Sequence, residues 1–231
     1  MSRNLLNDVR QRRTGSRRVL TLFAALATCA GLVALSACSS PPSRFYTLAG
    51  GTAPGAARST VAPALMIEVA PVDVPAQVAR TPFVVHTSAN RVDVLEQTRW
   101  AALPADEIRQ ALSQDLTQRL DAIDVSRSLQ PAAVPVYRVN VSVQRFESWP
   151  DSHALIDAVW TVRALSDQTV LTCRSIVSEP ASGGDDALVA AHRRALGQIA
   201  ANLAAGIRAL ETSTRVTRSA PGATRSVPCP A

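Results

Sequence analysis

Cys38 decides which part of this chain can fold as a domain. Ahead of it, Arg3, Arg10, Arg12, Arg13, Arg17 and Arg18 make a basic start, and an Ala- and Leu-rich apolar run follows from Val19 to Leu35. The run ends in Leu35-Ser36-Ala37-Cys38, and Ser39, Ser40, Pro41 and Pro42 come next. A basic segment, an apolar segment and small residues at a cut site describe a secretory signal that is removed from the mature protein. A spanning helix is the competing reading, since the run approaches the lower limit of about 17 apolar residues. Thr28, Gly31 and the many Ala residues weaken it, and it ends in Ser, Cys and Pro instead of a charged stop. The signal reading is therefore preferred, and folding arguments start at Cys38.

Leu-Ser-Ala-Cys resembles the bacterial lipobox. The resemblance implies that the Cys38 thiol takes a diacylglycerol, that the Ala37–Cys38 bond is then cut, and that a further acyl chain (palmitate) is added. Cys29 lies inside the apolar run behind a poorer Leu26-Ala27-Thr28 and is read as a bystander. With Ser39 and Ser40 after the cysteine and no Asp, the implied address is the inner leaflet of the outer membrane, facing the periplasm. Ser16-Arg17-Arg18-Val19-Leu20 also looks like a twin-arginine export motif. General secretion stays the default, because this chain uses Arg throughout and no Lys.

The net charge of +6 belongs mostly to the signal. Six Arg and Asp8 fall within residues 1–18, so the chain from Cys38 keeps 18 Arg against 17 acids, a net of +1. A near-neutral domain gives no electrostatic reason to expect nucleic acid. The remaining length suits one domain with a proper core. Apart from the lipidated Cys38, the mature chain has Cys173 and Cys229, which could bridge in an oxidising compartment or stay free, one of them buried in a strand.

Along the mature chain, Ser43 to Leu48 is a short aromatic strand candidate, and residues 49–63 read as a linker. Leu65 to Val74 alternates as a strand, with Pro71 and Pro75 confining its end to an edge or exit. Residues 83–86 and 91–95 flank Thr87-Ser88-Ala89-Asn90 as a hairpin. Pro104 opens a helix with Asp106 and Glu107 in its first turn, and Ile108, Leu112, Leu116, Leu120 and Ile123 form its stripe. In the strand Val136 to Phe146, Tyr137, Val139, Val141 and Val143 face one way. Ala154 to Leu165 is apolar on both faces around Trp160, as in a central strand. Ser166-Asp167-Gln168 turns into a strand from Thr169 to Ser178, completing an antiparallel meander. Gly183-Gly184-Asp185-Asp186 starts a second helix, striped by Leu188, Ala195, Leu196, Ile199, Leu203, Ile207 and Leu210. Residues 211–231 carry no apolar pattern and read as a disordered tail. The expected fold is α/β (α+β): a single mixed, mainly antiparallel sheet with two long helices on one face. The parts are a signal peptide (1–37), lipidated Cys, short strand and linker (38–63), the α/β domain (64–210) and the tail (211–231).

Catalytic residues are not expected. His86, His153 and His192 sit in three separate elements, with no second ligand at metal-binding spacing. No Ser sits at a nucleophile elbow and no Gly-rich loop follows a strand. Asp185-Asp186 is read as a helix N-terminus, and His192 as an exposed helix residue beside Arg193 and Arg194. Arg99-Trp100 reads either as a partner contact or as a Trp tucked under the helix with Arg99 over it, the second being preferred. Phe146 and Trp149 are either rim packing or contact surface.

These residues also carry a wider likeness. Phe45-Tyr46-Thr47-Leu48 after the lipobox, Ile67-Glu68-Val69-Ala70-Pro71-Val72-Asp73-Val74-Pro75, Thr81-Pro82-Phe83-Val84-Val85 and Arg99-Trp100 before a Leu-rich helix follow in order. Tyr137-Arg138-Val139, Arg145-Phe146-Glu147 and an Ala-Val-Trp strand continue them. Together, from about residue 43 to 210, they resemble the ABC-type transport auxiliary lipoproteins, the PqiC-like group. One departure is Asp73-Val74-Pro75-Ala76-Gln77-Val78 in place of a Leu-Pro-x-Tyr-Leu stretch. The resemblance implies a non-catalytic outer-membrane lipoprotein that needs no cofactor. Its implied partners are the membrane, an MCE-domain protein and ABC transporter components that move lipid, with homo-oligomerisation compatible. The rival expectation is a carrier lipoprotein that holds a lipid in its own cavity.

Overall fold

The computed structural model describes residues 41–50, 62–128, 134–219 and 227–230. Ala37 and Cys38, the expected cleavage and lipidation positions, lie outside them, as does most of the 49–63 linker. The chain divides into Met1–Pro42 and Ser43–Ala231, and the second unit holds every element described below. These are β1 (Arg44–Tyr46), β2 (Met66–Val69), β3 (Pro82–Ser88), β4 (Arg91–Trp100), α1 (Pro104–Leu120), β5 (Ile123–Asp124), β6 (Val136–Trp149), β7 (His153–Ala164), β8 (Val170–Pro180) and α2 (Gly184–Ser219). No helix among the described residues is long and apolar enough to cross a membrane.

The architecture is mixed α+β, but it has two sheets where a single one was expected. A five-stranded sheet runs β5-β2-β6-β7-β8, and a three-stranded sheet runs β1-β4-β3. In the larger sheet β6, β7 and β8 form the antiparallel meander, while β2 lies parallel to both β5 and β6. Both helices pack on one face of this sheet and on each other. The smaller sheet arises because β4 runs on through Glu96-Gln97-Thr98-Arg99 to Trp100 and pairs in parallel with β1. That stretch is too polar to announce a strand. Against β6, the β3–β4 hairpin packs through side chains (His86 on Trp149, Trp100 on Phe146) and not through a ladder.

Local chemistry explains where the elements stop. Asp121 adopts a left-handed conformation (φ 49°, ψ 44°), and its N–H bonds the Thr117 carbonyl. That cap ends α1 at Leu120. Ile123, expected on the helical stripe, therefore pairs with Met66 in β5 and is exposed. Gly183 (φ 111°) and Gly184 (φ 77°) supply the positive φ needed to turn from β8 into α2, a backbone most side chains resist. The helix then continues past Leu210 to Ser219, so the expected tail is helical at its start.

A register shift between Val143 and Arg145 changes which residues of β6 face inward. Val139, Val141 and Val143 are buried before it, and Phe146 and Ser148 after it. The bulge moves the inward set from odd to even positions. β7, central as its two apolar faces suggest, carries the buried Trp160, whose Nε1 donates to Ser175 Oγ at 3.0 Å. Gly206 of α2 lies over that ring: a Cβ there would meet Trp160 at 3.2 Å and Leu171 at 3.1 Å.

Candidate functional site

The first element among the described residues is β1, and three sets of bonds fasten it to the domain. Its residues Arg44, Phe45 and Tyr46 pair with Thr98, Arg99 and Trp100. The Arg44 guanidinium meets Asp185 of the first turn of α2 at 2.6 Å, and Thr98 donates to the same carboxylate at 3.0 Å. Burial and a bond to Asp186 raise the Tyr46 pKa above its usual value. Beyond β1, the buried Glu107 of α1 accepts from Leu48 N–H and Thr47 Oγ1, each at 2.7 Å, and from Ala102 N–H at 3.1 Å. From its spacing alone, Glu107 is expected only to compensate the helix dipole in the first turn. Its larger task is to bind the segment that follows β1 to the first helix.

Strand alternation sends the neighbours of Tyr46 outward. Phe45 is 65 % exposed, beside Arg99, which bonds the Glu96 carbonyl at 2.8 Å. The Arg99-Trp100 pair thus splits. Arg99 is on the surface, whereas Trp100 is core, stacked on Phe83 at 4.1 Å and edge-on to Phe146 at 5.9 Å. Phe146 is buried as well, so neither aromatic is available as contact surface. Trp149 is half-buried between His86 (4.6 Å) and His153 (5.7 Å), and its Nε1 donates to Glu147 at 3.0 Å. Burial pushes the Glu147 carboxyl up, but bonds from Arg145 and Trp149 outweigh it and leave it below its usual pKa.

His192 is not the exposed residue expected from its Arg neighbours. It is fully buried, stacked on Phe146 at 4.1 Å, with Nε2 at 2.8 Å from Ser148 Oγ. Burial lowers its pKa to about 3, which keeps the ring neutral. Its position between Leu188 and Leu196, four residues from each, puts it on the apolar stripe of α2, and that spacing was the signal to read. Nδ1 has no partner among the described residues. A neutral imidazole sealed under aromatic rings is a poor acid or base for any outside substrate.

Across β7 and β8 the buried Asp157 takes both ends of the Arg174 guanidinium, at 2.8 and 2.6 Å. Arg174 holds that carboxyl below its usual pKa. Cys173 and Cys229 are disulfide-bonded, with Cα atoms 5.7 Å apart. A cleft of about 520 Å³ lies between α1 and α2, lined in part by Leu48, Gln114, Asp115, Arg193 and Arg194. Burial raises the Asp115 pKa there, against the pull of Arg119 and Arg193. Among the described residues no group of three or more His, Cys, Asp or Glu could hold a metal ion.

The sequence model of one family, described as the ABC-type transport auxiliary lipoprotein component, matches residues 46–204. No curated protein matches the chain. Two crystal structures share its fold. A protein of uncharacterised function is 19 % identical with a TM-score of 0.58, covering 72 % of this chain and 99 % of its own. A Xanthomonas campestris protein is 21 % identical with a TM-score of 0.56, covering 76 % and 99 %.

Proposed function

The chain belongs to the ABC-type transport auxiliary lipoprotein family, and from that premise we propose that it is an outer-membrane, periplasm-facing accessory of an MCE-type lipid transport system. Membership carries an auxiliary role beside an ABC-type transport system and attachment to a membrane as a lipoprotein. In the proposal, Cys38 bears the lipid, and the domain positions the transport machinery without doing chemistry of its own.

The observation that carries the reading is the family match across most of the folded unit, combined with a lipobox only a few residues ahead of it. Two features support a docking role over catalysis or lipid carriage. His192, Asp157 and Glu107 are committed to internal bonds. The space between the larger sheet and the helices is filled by Trp160, Ile156, Leu188, Leu196, Ile199 and Leu203, all fully buried. Tight side-chain filling of this kind leaves no room for an acyl chain. The α1–α2 cleft, with Asp115, Arg193 and Arg194 on its wall, suits polar groups better than lipid tails.

Gradient fractionation with native mass spectrometry tests this. We expect the protein in outer-membrane fractions, with a mass accounted for by its own acyl chains. A stoichiometric co-purified phospholipid would move the reading to a carrier, and inner-membrane recovery would refute the address.

A further inference from the structure

Phe45 is the most exposed large apolar side chain among the described residues, at 65 %. It stands in the first strand after the lipidation position, and that strand cannot swing free. Pairing with β4, the Arg44–Asp185 bridge and the Glu107 clamp fix it to the domain. The chain between the lipidation position and the fold is then only Cys38 to Ser43, which spans at most about 18 Å. On the outward side of the small sheet, Phe45 lies beside Arg99, and Arg99 lies beside Pro82 of β3. An exposed aromatic ring rimmed by charged side chains, here Arg99 paired with Glu96 at 3.3 Å, is the side-chain chemistry of the membrane interface, where the ring enters the headgroup boundary and the charged rim stays at its polar level.

We propose that the Phe45–Arg99 face of the small sheet seats against the surface of the membrane that holds the lipid anchor. The inference rests on the anchored reading of Cys38. It adds to that reading an orientation: β1 down, with the open face of the larger sheet free of the bilayer. The tether decides for membrane over another macromolecule as the occupant. A surface held within a few residues of its own lipid meets that bilayer at a high effective concentration.

The test uses the full lipidated protein in vesicles of phosphatidylethanolamine and phosphatidylglycerol. F45C and, separately, I176C are labelled with an environment-sensitive fluorophore; the native disulfide and the lipidated Cys38 leave no other thiol in the mature chain to compete. Ile176 is also outward and 59 % exposed, but it lies on β8 of the other sheet. We expect a blue shift and severalfold quenching by lipids spin-labelled near the headgroup at position 45, and neither at 176. A label at 45 that stays in water while mass spectrometry confirms acylated Cys38 overturns the orientation and leaves the anchor intact. Quenching at both positions overturns the face assignment. A Cys38 without lipid defeats the anchor reading and this proposal with it.

Discussion

At the residue scale, the informative positions are polar groups placed where the core should be. Glu107 satisfies three donors at once, two of them backbone N–H groups. Glu107→Ala leaves those donors without an acceptor, at a cost of about 2–4 kcal/mol. Hydrogen exchange at Leu48 and Ala102 is expected to accelerate beyond what global destabilisation explains; unchanged protection would show that β1 is held without it. His192 makes a prediction about pH. Its folded pKa is depressed to about 3 from 6.5, so the unfolded chain gains a proton first as pH falls. The stability it contributes is complete above pH 6.5 and is lost progressively below it. Going from pH 7 to pH 5 is expected to cost about 2 kcal/mol from this ring alone. Asp157, held by the Arg174 guanidinium below the usual carboxylate range, titrates below that window. Urea unfolding at the two pH values should show a smaller loss in His192→Phe than in the wild type. Equal losses would contradict the assignment.

At the element scale, much was legible because period and pairing agree. The two helices, the hairpin, the β6–β8 meander and the central place of the Trp160 strand all follow from patterns that side-chain alternation enforces. What was not legible depends on partners far away in sequence. The polar stretch before Trp100 became strand because β1 pairs with it across some fifty residues, and only the fold supplies that neighbour. The β6 bulge was hidden for a similar reason: an alternating run looks continuous until the partner strand shows where one residue drops out of register. Ile123 fitted the helical period, but the Asp121 cap ended the helix first. The end of α2 carries no apolar stripe past Leu210, so its helicity gives no periodic signal. The disulfide is an element-scale constraint too. It closes a loop of 56 residues, and chain entropy alone would give it about 4 kcal/mol. Cys229→Ser is expected to lower the unfolding midpoint by several degrees under oxidising conditions and to leave it unchanged when the wild type is also reduced. No difference between oxidised wild type and the variant would mean that the bond strains the fold as much as it restrains the unfolded chain.

At the scale of the whole molecule, the candidate site was legible in its chemistry and not in its geometry. The resemblance of Leu35-Ser36-Ala37-Cys38 to a lipobox gives an expected anchor at a position outside the described residues. That Phe45 faces outward beside Arg99 while Tyr46 and Trp100 turn into the core needed the parallel pairing of β1 with β4. Trp100, Phe146 and His192 form one buried aromatic group that no local pattern could have assembled, because it draws on β4, β6 and α2. The result is a domain whose buried polar groups, Glu107, Asp157 and His192 among them, are turned to internal bonds.

The central claim is that this domain docks transport machinery to a membrane. Affinity capture of the lipidated protein from crosslinked envelope extracts tests it most directly, with Cys38→Ser as the control for anchoring. We expect an MCE-domain protein or an ABC transporter component to be recovered with the wild type and depleted with Cys38→Ser. Recovery of the lipidated, folded protein with neither component would contradict it.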